Sequence, residues 1–147
     1  MIRVVFAGEG TFGFLSFNVQ YTIMDEFDDW NNIKKSLVSV NRIYFNKGEV
    51  WFTAIGKNIG DEEDGKNQNF ERPVLIIRKF NNNIFLGVPL TSQDKEGKYY
   101  HKLVSFFGST AILSQVRLLD SKRLLRKIGK VEHEELLSIK KKIGKIV

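Results

Sequence analysis

The sequence predicts a mainly β fold, a small closed barrel of short strands with an N-terminal helix and C-terminal helices packed on it. Three observations carry that reading. Between Gly48 and Leu119, short runs of β-forming residues are separated by Gly, Asn and polar turns. On both flanks the apolar residues recur at helical spacing instead. The chain has 147 residues, the size of one domain able to bury a single core without staples. Its 42% apolar and 27% charged residues are a globular balance, not a disordered one. With no cysteine, a disulfide scaffold, a thiol nucleophile and a cysteine-built zinc site are excluded. Two histidines, His101 and His133, are too few for a multi-histidine metal site. No apolar run reaches the length of a membrane-spanning helix.

Residues 1–23 fit this picture least. Ile2–Phe6 is apolar, but Gly8, Glu9, Gly10 and Gly13 break the run, and no signal-peptide cleavage site precedes Asp25. They are expected to be a poorly structured leader, with the domain, residues 24–147, beginning at Met24. A helical extension over 25–38 follows from Phe27, Trp30, Ile33 and Leu37, with acids in front and Lys34–Lys35 behind. The barrel is expected over about 48–120. Its first strand is Glu49–Ile55, followed by a long polar loop with Gly56, Gly60 and Gly65. Val74–Ile77, opened by Arg72–Pro73, forms a hairpin with Ile84–Leu90 across Asn81–Asn83. Tyr99–Phe107, Ala111–Leu113 and Val116–Leu119 supply further strands. Ser121 can cap a turn through Leu125, and Glu132–Ile143 is a helix with acids first and lysines last. Helices are thus expected over about 121–145. Lys127-Ile-Gly-Lys130 recurs as Lys142-Ile-Gly-Lys145, too short a match to be a repeat.

The net charge of +6 is unevenly placed. Residues 98–147 hold 12 basic and 4 acidic residues, while residues 1–97 hold 11 and 13. A basic half suits a polyanionic partner, and equally a solvated basic helix.

Two motifs come close and fail. Gly60-Asp-Glu-Glu-Asp-Gly65-Lys66-Asn67 nearly spells a phosphate-binding loop. Asn67 replaces the magnesium-binding hydroxyl, the acids would repel phosphate, and Pro73 with a strand follows where a helix should. The same segment half-matches a calcium loop through Glu62, Asp64, Gly65 and Glu71, but it opens on Gly60 and strands flank it. A solvated acidic loop is the simpler reading.

Taken in order, the strand region is distinctive. It runs Gly48-Glu-Val-Trp51, Asn58-Ile-Gly60-Asp-Glu62, Arg72-Pro73-Val-Leu-Ile-Ile77, Val88-Pro89-Leu-Thr91-Ser92, Ala111-Ile-Leu-Ser-Gln115-Val-Arg117-Leu-Leu-Asp120, then Ser121-Lys-Arg-Leu124 and Lys127-Ile-Gly129. This order resembles the MazF/PemK family of type II toxin–antitoxin endoribonuclease toxins over about residues 48–130. The helix at 25–38 resembles an extension in one branch of that family, and residues 1–23 match nothing in it. The resemblance implies an SH3-like barrel, a homodimer, and a small cognate antitoxin that occupies the RNA surface. It also implies growth-inhibiting, sequence-selective cleavage of single-stranded RNA in the cytoplasm, with no metal and no cofactor.

Such chemistry needs little from the protein. RNA carries its own nucleophile, the 2′-hydroxyl beside the scissile phosphate. The enzyme has to take that proton, stabilise charge on the five-coordinate phosphorus and protonate the leaving 5′-oxygen, giving a 2′,3′-cyclic phosphate and a 5′-hydroxyl. Carried over from the family's Arg-Pro, Arg72 offers a rigid donor fork to phosphate oxygens; its alternative is an ion pair with Glu71 or the acidic loop. Thr91, with Ser92, matches the family's Thr-Ser and could hold the phosphate in line, where ordinary turn chemistry is the alternative. Arg117 and Asp120 resemble the family's later Arg…Asp, which in some members is proposed as a catalytic acid and base; the alternative here is a phosphate ligand, Arg117, buttressed by an ion pair with Asp120. Glu62 matches the acid of the loop and could accept the 2′-hydroxyl proton, although Lys66–Glu71 is inserted before Arg72. His101 is a candidate acid, base or RNA contact without motif support, and Tyr99, Tyr100 and Phe106 could stack bases or pack the core. Lys122 and Arg123, with Arg126, Lys127 and Lys130, form a basic cluster suited to RNA or to an acidic antitoxin tail. The rival reading is the same barrel with a degenerate site that only binds RNA, nucleic acid in general or a protein.

Overall fold

The computed structural model describes the backbone of residues 13–147 and the side chains of residues 24–147. Of the expected leader, residues 1–12 lie outside the described residues, and from Gly13 the backbone is helical. Helix α1 spans Gly13–Leu37, so it starts well before the expected position 25. Trp30 is buried against Ala54 and Phe70, with Ile33, Leu37 and Leu125 packed around them. These are the apolar residues whose spacing announced the helix.

Seven strands follow: β1 (Glu49–Ala54), β2 (Glu71–Lys79), β3 (Ile84–Thr91), β4 (Tyr100–Lys102), β5 (Thr110–Ile112), β6 (Arg117–Asp120) and β7 (Leu124–Lys130). Helix α2 (His133–Gly144) closes the chain. The order is β4-β5-β3-β2-β1-β7, with β6 also on β3, and every pairing is antiparallel. The end strands β4 and β7 do not pair with each other, so the sheet is open where a closed barrel was expected.

Strand alternation sorts the core into two layers. Val50, Leu75, Ile77, Val88 and Leu90 meet Leu136, Ile139 and Ile143 of α2 on one face. Trp51, Val74, Ile76 and Phe85 meet Phe45 and Leu119 on the other. Burial of β2 on both faces explains the unbroken apolar run Val74–Ile77. Strand β3 pairs with β6 through Ile84–Gly87 and with β5 through Leu90–Thr91. Pro89 falls at that change of partner.

Two expectations are corrected. The strand expected over Tyr99–Phe107 is only Tyr100–Lys102, and Phe106 instead packs over Gly129. Residues 124–130, expected within C-terminal helices, form β7 on the edge of β1. Leu124, Leu125 and Ile128 fit either period over so short a stretch, and the β1 edge decides. The turn before β7 is a short 3-10 segment, Ser121–Arg123, capped by Asp120 and not by Ser121. The Lys-Ile-Gly-Lys pair falls once in a strand and once at a helix end. Among the described residues no helix is long and apolar enough to cross a membrane.

Candidate active site

Arg72 opens β2 and is only 9% exposed. Polar groups surround it. Its Nε donates to the Asp64 carbonyl at 2.7 Å, Nη1 donates to the Leu90 carbonyl at 3.3 Å, and Nη2 lies 2.9 Å from Glu63 Oε2. One N–H on each terminal nitrogen stays free. The register Val74↔Pro89 and Leu75↔Val88, continued along the strands, sets Arg72 opposite Thr91 and so on the same face. Thr91 in turn pairs with Thr110 of β5, and Thr110 with Lys102 of β4. The Thr91 hydroxyl accepts from the Gln93 amide at 3.2 Å, which leaves its proton free to donate. Arg72 and Thr91 thus lie on one face at the same end of the β2–β3 pair.

The loop between β1 and β2 supplies the carboxylate. It is pinned by its own backbone, with Gly65 N donating to Gly56 O at 2.8 Å. Asn58 donates its side-chain amide to the Glu63 carbonyl at 2.8 Å and its main-chain amide to Asp64 Oδ1 at 2.5 Å. Gln115, just after β5, closes the outer side. Its Oε1 accepts from the Glu63 amide at 3.3 Å, and its Nε2 donates to the Asp61 carbonyl at 3.0 Å. The acidic loop is therefore ordered around Arg72, and Glu63 is the acid that reaches it. Glu62, the expected base, points elsewhere, accepting from the Ile59 amide at 3.3 Å in an exposed turn. Sequence reasoning missed Glu63 by one residue and gave Gln115 no role. The signal for Gln115 was its place in Ser-Gln-Val-Arg, two residues before Arg117.

Other expected residues separate from this centre. Asp120 does not pair with Arg117. It takes a two-pronged ion pair from Arg42, with Nη1–Oδ1 at 2.7 Å, and accepts from the Lys122 amide at 2.8 Å. Burial opposes its ionisation, but Arg42 and that amide hold its pKa below the ordinary value. Arg117 lies on β6 opposite Gly87. Lys122 Nζ donates to Val38 O at 2.5 Å. Arg123 donates to Ala54 O at 3.0 Å and lies over the Trp30 ring, where burial, then nearby Arg117, lowers its pKa. Arg123 thus ties α1 to β1, and Lys122 bonds the chain just after α1. His101, next to Lys102, is turned to the other face. Its Nδ1 lies 2.9 Å from Lys142 Nζ, so that nitrogen accepts and Nε2 carries the proton toward Glu135 Oε1 at 3.3 Å. It is a strut to α2. Ser92 is exposed beside Thr91.

The lysine in the Thr91–Thr110–Lys102 row is also compensated. Lys102 is pushed up to about 12 by hydrogen bonds to Asp94 and then Glu96, both in the loop after Thr91. Among the described residues, no three His, Asp or Glu side chains converge to hold a metal ion. What remains is an arginine fork, a carboxylate and a hydroxyl, a set that can bind a phosphodiester and move a proton beside it.

The comparisons with known proteins agree with this architecture. No curated protein matches the chain. Among solved structures, MazF from Deinococcus radiodurans superposes with a TM-score of 0.57 at 16% identity, over 71% of this chain and 96% of that one. An endoribonuclease in complex with its cognate antitoxin, from Mycobacterial species, gives 0.54 at 14% identity, over 69% and 93%. A further structure, of an endoribonuclease from Mycobacterial species, gives 0.51 at 15% identity, over 73% and 92%. At such identities these likenesses show the fold. The family model for PemK-like, MazF-like toxins of type II toxin–antitoxin systems matches residues 46–147, which takes in the whole sheet, the acidic loop and α2, and the chain belongs to that family.

Proposed function

We propose that this toxin-family chain is a metal-independent endoribonuclease acting on single-stranded RNA, with Arg72, Glu63 and Thr91 at its centre. The Arg72–Glu63 contact at 2.9 Å, with Thr91 on the same face of the neighbouring strand by register, supports the reading. The free N–H groups of Arg72 bind the scissile phosphate and stabilise charge on the five-coordinate phosphorus. Thr91 donates its hydroxyl to a phosphate oxygen and holds it in line. Glu63 takes the 2′-hydroxyl proton as the 2′-oxygen bonds to phosphorus. The 5′-oxygen leaves and takes up a proton, so the products are a 2′,3′-cyclic phosphate and a 5′-hydroxyl. A small antitoxin that covers this face would silence it, and a homodimer would present two such centres.

The test is purified protein with mixed RNA and excess chelator, read for cyclic-phosphate ends. Arg72→Ala and Thr91→Ala are each expected to abolish cutting with the fold intact. RNA bound but left whole by the parent protein would establish a binding module instead. Rescue of growth arrest by a neighbouring gene product tests the antitoxin, and light scattering tests the dimer.

A further inference from the structure

The family match begins at residue 46, so α1 stands outside it. Yet α1 is wired to Arg72. Glu26 of α1 receives the Lys57 ammonium at 2.8 Å, and the same ammonium lies 3.1 Å from Asp64 Oδ2. Asp64 is the pivot, since its carbonyl accepts from Arg72 Nε at 2.7 Å while its other carboxylate oxygen accepts from the Asn58 amide. The two carboxylates raise the pKa of Lys57, Glu26 first, so it stays charged across the working range.

Packing fixes the same segment. Trp30 packs against Gly56, whose φ is +94° and where any Cβ would collide with the indole. The ring also meets Phe70 with centroids 5.8 Å apart, and the Phe70 carbonyl accepts from both the Ile55 and Gly56 amides. Both ends of the loop carrying Glu63 and Asp64 are therefore held against α1.

From this geometry we infer that α1 is part of the catalytic apparatus and that Lys57 is a positioning residue. Through Glu26 it sets the Asp64 carbonyl that orients the Arg72 guanidinium. The inference rests on Arg72 being the phosphate-binding cation. A ring of polar contacts around an arginine fixes the fork only if the acceptor is fixed, and the Asp64 carbonyl sits in a loop with no strand pairing of its own beyond Lys66↔Glu71. The ammonium bridge adds a tie to α1 beside the Gly65–Gly56 and Asn58 bonds that pin the loop.

The test uses the full chain. Lys57→Met and Glu26→Gln are compared with Lys57→Arg, which keeps the charge and both partners. Single-turnover cleavage of mixed RNA at saturating protein is expected to fall by up to about a hundredfold in the first two and to stay near the parent in the third. The independent readout is the Arg72 Nε–H signal in 15N-resolved NMR, assigned by its absence in Arg72→Lys. It is expected to shift and exchange faster with solvent in Lys57→Met and Glu26→Gln, while the melting temperature moves little. An Nε–H signal unchanged in Lys57→Met overturns the wiring whether or not RNA is cut. Lys57 variants that cut at the parent rate, beside an inactive Arg72→Ala, overturn the positioning role alone. An active Arg72→Ala overturns the proposed catalytic reading and leaves the signal to decide the wiring.

Discussion

Glu63→Gln separates two jobs that one carboxylate could do beside Arg72. As a base, Glu63 removes the 2′-hydroxyl proton. As a counter-ion, it merely competes with phosphate for the guanidinium. The amide keeps the shape of the side chain, and the loop is held by bonds to the backbone of residue 63, from Asn58 and Gln115, which the substitution leaves in place. The Arg72–Glu63 contact at 2.9 Å is charge-assisted, worth about 1.5–3 kcal/mol, against about 0.5–1.5 kcal/mol for a neutral bond. Arg72 is thus released by about 1–2 kcal/mol, which is roughly 5- to 30-fold in affinity for a phosphodiester. A 2′-deoxy analogue of a cleaved oligonucleotide, which cannot react, is expected to bind more tightly by that factor. Single-turnover cleavage of the ribo form is expected to fall by about 10²–10⁴-fold, the usual contribution of a general base. Tighter binding together with undiminished cleavage would refute the base assignment and leave Glu63 as counter-ion only.

Three stability predictions follow from the same contacts. Glu49 is buried, and it accepts from Trp51 Nε1 at 2.9 Å and the Asn46 amide at 3.0 Å. Glu49→Ala strands both donors and is expected to cost about 2–5 kcal/mol in urea unfolding, with the half-exposed Lys127 partner contributing little; a loss under about 1 kcal/mol would show that the donors find other partners. Burial opposes ionisation of Glu135, but Ser105 and the Val104 and Ser105 amides outweigh it and depress its pKa. A depressed carboxyl adds stability above its unfolded pKa and loses it as pH falls through the folded value, so Glu135→Gln should flatten the acid limb of the stability profile, and an unchanged limb would assign it elsewhere. Gly56→Ala meets both a left-handed φ and the Trp30 ring, so it should cost over about 1 kcal/mol and speed amide exchange through residues 57–66; normal exchange there would mean that the indole yields.

Local signals made the centre of the sheet legible. The apolar run Val74–Ile77, the Asn81–Asn83 turn and the run ending at Thr91 define the β2–β3 hairpin, and that hairpin sets Arg72 and Thr91 side by side. The misreadings share a physical cause, since each depended on a partner far away in the chain. Strand β7 is a strand because β1 offers it an edge, and β1 and β2 also carry Glu49 and Glu71 for its Lys127 and Arg126. Asp120 lies three residues after Arg117 but bonds to Arg42, which comes from the connector after α1. Glu63 and Glu62 are neighbours of the same type. Contacts from Asn58 and Gln115, which help fix how the loop folds, decide which one faces Arg72. The long α1 was half legible, since its packing residues Trp30, Ile33 and Leu37 showed the helical period but its start carries no acidic first turn.

The same reasoning revises what the basic half of the chain can do. Charge counting suggests a cluster of Lys122, Arg123, Arg126, Lys127 and Lys130 that would grip RNA through its phosphates. Five such contacts to a single strand would give a slope of about −3.5 in log affinity against log salt. In the structure, Arg126 is held bidentate by buried Glu71 at 2.9 and 2.6 Å, and Lys127 by buried Glu49 at 2.8 Å. Arg123 is turned inward over Trp30, and Lys122 caps the chain at Val38. A phosphate approaching β7 therefore meets paired carboxylates as well as cations, and breaking the Arg126 pair would strand Glu71 in the interior, while Glu49 keeps its Trp51 and Asn46 donors. The slope for RNA or its 2′-deoxy analogue is accordingly expected to be shallower than about −2. Arg126→Ala is expected to reduce stability more than affinity. A slope near the five-contact value would mean that binding pulls these side chains away from their carboxylates, and the basic strand would then be an RNA surface after all.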